Sequence, residues 1–317
     1  VGSGNRNTAG GHTGTAYNRA VVRGRGARRS AGMWNVALNT GMLVFSFLMI
    51  YPFWDTFMLS FAKPEEAATL GFHLWNKNWS LSSYQFIFRN NQVLTAYGNT
   101  IFITVIGTLL ALAVTVLAAF PLSKKELPGR SAITLIFVFT MFFSGGIVPF
   151  YLTIKSLGLM DTRWVLILPH ALNVFYVTIM RNYMMSLDKG LEESALIDGA
   201  GYLTVMYRII LPIARPILAT LVLWNAVSFW NQWYHALLFI RDDHKLVLQL
   251  LLRRLIEYSS AEGSSSMEAF RRQNDAMLNS ATVKAAVILI TIGPIVFFYP
   301  FIQKHFIKGI TVGSLKG

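Results

Sequence analysis

Apolar residues in this chain gather in long blocks rather than alternating with polar ones. Six blocks reach the roughly 20 mostly apolar residues that a helix needs to cross a bilayer. They are Trp34–Leu59, Thr100–Leu122, Ala132–Ile154, Trp164–Tyr183, Ile213–Leu238 and Ala281–Ile302. Each contains or ends near a Gly or Pro, which membrane helices tolerate. The first block is too long for the apolar core of a signal peptide and has no persuasive small-x-small cleavage site, so it reads as retained. The pattern predicts an all-α integral membrane protein of six transmembrane helices. Alternation puts both ends on one side, together with the segments around 123–131 and 184–212.

Composition agrees. Of 317 residues 54% are hydrophobic and 14% charged, with a mean hydropathy of +0.46; soluble domains carry roughly 25% charged residues. The net charge of +13 alone would fit a nucleic-acid binder, but the chain lacks the polar surface to stay in water around its charges. There is no cysteine, hence no disulfide and no thiolate metal site. The side holding both ends carries sixteen Lys and Arg against five acidic residues, and the other side twelve against ten. The positive-inside rule makes the first side cytoplasmic, in a protein that crosses its membrane many times.

Residues 1–30, rich in Gly, Arg, Asn and Thr, read as a disordered basic cytoplasmic tail, and 31–317 as the membrane domain. The run Val22-Arg23-Gly24-Arg25-Gly26-Ala27-Arg28-Arg29 reads as a topology anchor drawn to anionic lipid rather than a nucleic-acid site. Outside the membrane, Trp75, Trp79, Tyr84 and Phe86 in segment 60–98 read as interfacial aromatics. Segment 239–280 holds Arg253, Arg254, Arg271 and Arg272, and is either a docking surface or solvated surface.

Much chemistry is absent. No phosphate-binding Gly-x-x-x-x-Gly-Lys-Ser/Thr loop occurs, and six scattered histidines offer no metal spacing. Deep ionisable residues are nearly missing: Asp55 and Lys284 lie near the outer ends of their spans and His170 is the only deep candidate, whereas proton- or ion-driven carriers need such groups. An enzyme or self-powered pump is disfavoured, and an external energy source is expected.

The segment between spans four and five reads Leu191-Glu192-Glu193-Ser194-Ala195-Leu196-Ile197-Asp198-Gly199-Ala200-Gly201, continuing to Ile209-Ile210-Leu211-Pro212. Asp188 can cap a helix from Lys189, and Glu192 and Glu193 suit its positive N-terminal end. Gly199 and Gly201 permit the left-handed backbone that stops it. A second short helix to Leu211 follows, and Pro212 and Pro216 shape the start of span five. The result is a helix–turn–helix over 186–212.

This loop resembles the Glu-Ala-Ala loop of membrane subunits from binding-protein-dependent importers of the ATP-binding-cassette class. Glu193, Ala195, Gly199, Ile209, Leu211 and Pro212 fall at that pattern's spacing, Ser194 replaces an Ala, and Met206 stands where Phe is frequent. Asp198-Gly199-Ala200 is the sugar-permease form. Phe143-Ser144-Gly145-Gly146-Ile147-Val148-Pro149 and the end from Gly293-Pro294 to Gly317 are similar to the complex-oligosaccharide branch, so the resemblance spans about 31–317. It implies a multi-pass permease subunit of a bacterial plasma (inner) membrane that moves oligosaccharides by alternating access. Its partners would be a second homologous permease subunit, two ATPase subunits that bind ATP and Mg, and an extracytoplasmic solute-binding protein. This chain would bind no cofactor and catalyse nothing itself. Glu193, Ser194, Ala195, Asp198, Gly199, Ala200, Ile209, Leu211 and Pro212 would form the ATPase-coupling surface, with Asp198 capping the second helix or pairing with a basic ATPase residue. An importer of the same class for another solute, a secondary transporter and a membrane scaffold are the alternatives.

One polar face stands out within span five. Asn225, Ser228, Asn231, Gln232 and His235 lie within about a third of the circumference of a helix, interleaved with Trp224, Trp230, Trp233 and Tyr234. With His170 and Asn173 of span four, they are candidates for a sugar path, since hydroxyls need hydrogen bonds and sugar-ring faces need flat aromatic surfaces. The competing reading is interhelical hydrogen bonding.

Overall fold

In the computed structural model residues 13–63, 75–89, 91–260, 281–294 and 296–297 are described, the side chains of 13–33 and 255–260 excepted. All regular structure among the described residues is helical. The residues fall into two units, one holding α1 (Thr13–Ser60) as far as Thr56 and the other nearly all the rest. Residues 13–30, expected to be disordered, are the first turns of α1. Arg and Ala are frequent there, and both favour helix.

In the second unit α2 (Ser82–Arg89) leads to α3 (Asn91–Ser123), the longest helix of this unit. Trp34–Ser60 and α3 are each long and apolar enough to cross a membrane. Three of the other predicted spans are broken rather than straight. Span three is α4 (Arg130–Phe142) and α5 (Ile147–Ser156), meeting at 113° across Phe143–Gly146. Gly146 has φ +81, a conformation that only Gly adopts cheaply. Span four opens with 3₁₀ turns at Arg163–Leu166 and Leu168–His170, then bends by 44° into α6 (Val174–Ser186). After α7 (Lys189–Ile197) and α8 (Tyr202–Val205), a π turn at Met206–Ile210 leads through α9 (Leu211–Ile213) to α10 (Arg215–Trp230). The bend into α10 is 84°. Pro212 lacks the N–H that would bond Arg208, and Pro216 sits near the start of α10 where none is required.

Predicted span five does not run to Leu238 as one helix. α10 stops at Trp230, and α11 (Tyr234–Phe239) follows a short break. Asn231 competes for the backbone there, its Nδ2 donating to Val227 O at 2.9 Å while its own N–H also reaches that carbonyl. Then come α12 (Leu248–Ser260) and α13 (Ala281–Pro294), and the remainder of predicted span six, 298–302, lies outside the described residues.

Hydrogen bonds fix two opposite ends of α3. At its first turns Asn99, buried, donates to the carbonyls of His244 and Leu246 at 2.8 and 2.9 Å, and Thr100 Oγ1 accepts from Leu248 N at 2.8 Å. Just past its last turn Lys124 pairs with Glu192 on α7. Segments 123–131 and 186–212 therefore share one end, as alternating spans require, and 239–248 sits at the other. Between them α3 packs on α6 and α10 in a core that includes Val116, Ala119, Phe120, Val177, Met180 and Leu221. At Gly107 the α3 backbone lies so near α10 that an added Cβ would come within 2.7 Å of the Phe229 ring.

Candidate functional site: a polar cavity and an exposed loop

α4, α6, α10 and the 3₁₀ turn before α6 line an open cavity of about 410 Å³ whose walls include Thr140, His170, Asn173, Tyr176, Asn225 and Ser228. A second, of about 240 Å³, continues toward α11 and is lined by His170, Ser228, Asn231, Gln232, Trp233, Tyr234 and His235 among others. His170, Ser228 and Phe229 belong to both walls. Eight of the nine predicted path residues thus line one polar track. The ninth, Trp224, lines neither cavity and packs against Phe175 and Tyr176, with ring centroids 6.4 and 5.7 Å away. A larger cavity of about 550 Å³ between α3 and α10 is walled almost wholly by apolar side chains and suits hydrocarbon, not sugar.

The helix breaks, not a single helical face, assemble this track. The break before α6 turns His170 toward the break after α10, so Gln232 Nε2 lies 3.1 Å from His170 Nδ1. An amide N–H can only donate, so His170 accepts there. The His170 and His235 rings are 4.3 Å apart, and His235 stacks on Phe239. Gln232 Oε1 is buried and has no partner among the described residues. Such an acceptor is costly unless something donates to it.

The other polar side chains are partly engaged. Asn225 is 3% exposed and its Nδ2 donates to Leu221 O at 2.8 Å, which leaves its Oδ1 for the cavity. Asn173 Oδ1 caps α6, accepting from Phe175 and Tyr176 N at 3.0 and 3.4 Å. Asn231 Oδ1 accepts from Gln249 Nε2 at 3.1 Å, tying α10 to α12. Sequence reasoning missed Thr140 and Tyr176. Their place in the wall follows from the bends around α4 and α6, which no residue spacing announces.

At the other end, Asp188 Oδ1 caps α7 by accepting from Gly190 N at 3.0 Å. Gly199 stops the helix at φ +83, as its place in the motif requires. Two expectations need correction. Gly201 is not left-handed but extended, at φ −74 and ψ 157, as the residue before α8. Asp198 does not cap the second helix: it is the C-terminal cap residue of α7, and Gly201 stands at the N-terminus of α8 with no side-chain cap. Glu193, Ser194, Asp198 and Gly199 are exposed, Ala195, Ala200, Ile209 and Leu211 partly covered, and Met206 is buried in the core. Large apolar side chains are exposed around them: Ile197 is 86% and Leu203 65% exposed, with Tyr202 and Tyr207 nearby in the chain. Grouped exposed apolar side chains rimmed by charge mark interaction surfaces. The motif spacing does not single out these four residues.

Opposite the loop, Asp161 at φ +56 forms a polar knot. Its Oδ1 accepts from Arg241 and Asp242 N at 3.0 Å each, and its Oδ2 pairs with Lys245 at 3.1 Å. Those backbone N–H groups hold the carboxyl below its usual range, and hydrogen bonds to Asp161 and Asp242 raise Lys245. Beside it Arg254 pairs with Asp243, and the Arg253 guanidinium lies 3.8 Å from the Trp233 ring centre. Arg271 and Arg272 lie outside the described residues.

The chain is similar to known proteins. Protein LplC of Bacillus subtilis (strain 168) is 41% identical over 274 residues, covering 85% of this chain and 90% of that protein. The polygalacturonan/rhamnogalacturonan transport system permease protein YtcP of the same organism is 38% identical over 276 residues, 87% of this chain and 96% of that protein. Among solved structures, one of a bacterial ABC transporter involved in the import of the acidic polysaccharide alginate superposes with a TM-score of 0.80 at 31% identity, over 88% of this chain and 98% of that one. The profile of the family described as "Binding-protein-dependent transport system inner membrane component" matches residues 109–312. This chain belongs to that family, as a membrane permease subunit of a binding-protein-dependent transport system.

Proposed function

We propose that this permease imports oligosaccharides, uronate-containing ones included, handed over by an extracytoplasmic solute-binding protein and driven by ATP hydrolysis on separate subunits. A second homologous permease completes the pore, and two ATPases carry ATP and Mg. The polar lining that His170, Asn173, Asn225, Ser228, Asn231 and Gln232 give the two adjoining cavities carries the substrate reading. Sugar hydroxyls can hydrogen-bond with such side chains, and Trp233 and Tyr234 offer flat faces beside them. No Asp or Glu lines either cavity among the described residues, so a carboxylate meets no like charge there. The names of YtcP and of the alginate transporter support the same substrate class.

The coupling reading rests on the exposed face of α7 and α8. Ile197 and Leu203 supply apolar contact, and Glu193 and Asp198 supply charge, on the end that the charge asymmetry assigns to the cytoplasm. All six spans, with both ends cytoplasmic, complete this reading. The chain has no cysteine, so Ile197→Cys would be its single thiol. Cross-linking from that thiol in native membranes should capture an ATPase subunit, in stoichiometric complex with the permease pair. A complex that transports while Ile197→Cys captures only lipid or nothing would overturn the docking assignment.

A further inference from the structure

The coupling loop joins α6 at one end and α10 at the other, but it has no covalent link to α3, the helix against which both pack. An ion pair supplies that link. Lys124, one residue beyond α3, pairs with Glu192 on α7, and its side chain and that of Glu192 are only 16% and 19% exposed. The Lys124 Nζ also lies 4.4 Å from the centre of the Phe120 ring, on the last turn of α3. The ammonium is therefore held from two sides, by a carboxylate on the loop and an aromatic face on the helix. A partly shielded pair is less easily screened by salt than a fully solvated one.

What α3 touches farther along gives the pair its meaning. Seventeen residues back, about 26 Å along the helix, Gly107 meets the Phe229 ring, and Phe229 stands in the wall common to both polar cavities. Replacing Gly107 by any larger residue would push on that ring, so the contact has no slack. A stiff helix with a charged anchor at one end and a tight bearing in the middle transmits displacement.

We propose that Lys124 is a positioning residue for energy coupling: through its ion pair with Glu192, movement of α7 is passed to α3 and on to the Phe229 wall between the cavities. This rests on the reading of α7 and α8 as the ATPase docking site. The test uses the whole transporter in native membranes. Ser228→Cys, the chain's single thiol, reports access to the shared wall through its rate of modification by N-ethylmaleimide. With Lys124 intact, ATP plus vanadate should change that rate about tenfold, within the usual range of coupling between sites. Lys124→Glu should remove the change although the ATPase still co-purifies and hydrolyses ATP. Lys124→Arg should keep it, and Lys124→Glu combined with Glu192→Lys should restore it. An undiminished response in Lys124→Glu, or no recovery in the exchanged pair, overturns the proposal. The docking reading fails separately, if the chain with Lys124 intact brings down no ATPase.

Discussion

The 186–212 loop and the polar track lie at different levels of the fold, and they are specified in different ways. Three features of the loop are set by neighbours in sequence: Asp188 caps α7 two residues on, Gly199 supplies a positive φ at its end, and Pro212 shapes the approach to α10. The track is set by distant residues. His170 and Gln232 meet across 62 positions, and they do so because two helices break where an apolar span predicts continuity. Local chemistry shapes the exposed loop; long-range packing shapes the polar cavities.

The largest expected effect is on the local side. Gly199→Pro replaces φ +83 by a ring fixed near −65°, so the α7–α8 turn cannot form. Coupled transport should fall about a hundredfold, equivalent to about 2.7 kcal/mol, with ATPase co-purification weakened. Normal transport would mean that the turn is not used. On the long-range side, Gly107→Val forces the Phe229 ring aside. Overpacking of this kind destabilises by about 1–3 kcal/mol, so the melting temperature of the purified complex should drop by several degrees. An unchanged melting temperature would show that α3 and α10 have room to move apart.

A third test separates ligand path from helix glue. Asn225→Leu with Gln232→Leu should lower sugar-dependent transport about tenfold, near 1.4 kcal/mol in transition-state terms, with assembly and basal ATP hydrolysis near normal. A complex that falls apart, with no transport defect in what survives, would make these residues glue. The smallest effect concerns the Asp161 knot. Its carboxyl titrates below the ordinary value in the folded chain, so its stabilisation is complete above about pH 4 and is lost as pH falls through the lowered value. Lys245 is raised, so its contribution holds below about pH 10.4 and is lost as pH rises through the raised value. Asp161→Asn should flatten the acid limb of a stability–pH curve. An acid limb identical in the variant would assign acid sensitivity to other groups.

The same division decides how much of the protein was legible in the sequence. The helical class follows from block length, and the α7 cap and stop from Asp188 and Gly199, because those signals act within one or two turns. The Phe143–Gly146 break falls at a Gly pair inside predicted span three, and its 113° angle is not legible there. Span five was harder. The polar face from Asn225 to His235 was found by assuming one helix, yet Asn231 ends α10 by bonding back to Val227. The residues still reach a common track, because α11 returns His235 to within 4.3 Å of His170. Asp198 misled for a related reason: an acidic residue between two helices can serve either, and backbone geometry alone assigns it to the end of α7. Lys124 lies in an ordinary basic loop, and nothing in its sequence neighbourhood points to Glu192.

The central claim, that ATPases docked at α7 and α8 drive sugar through the His170–Gln232 track, is tested most directly by uptake into proteoliposomes. The vesicles would hold the permease pair with its ATPases, and the binding protein would be added outside with a mixture of galacturonate and neutral oligosaccharides. The account predicts accumulation that requires both internal ATP and the binding protein, and that drops about tenfold in the Asn225→Leu, Gln232→Leu variant. Uptake that proceeds without ATP on an imposed ion gradient, or that the double variant leaves unchanged, would contradict it.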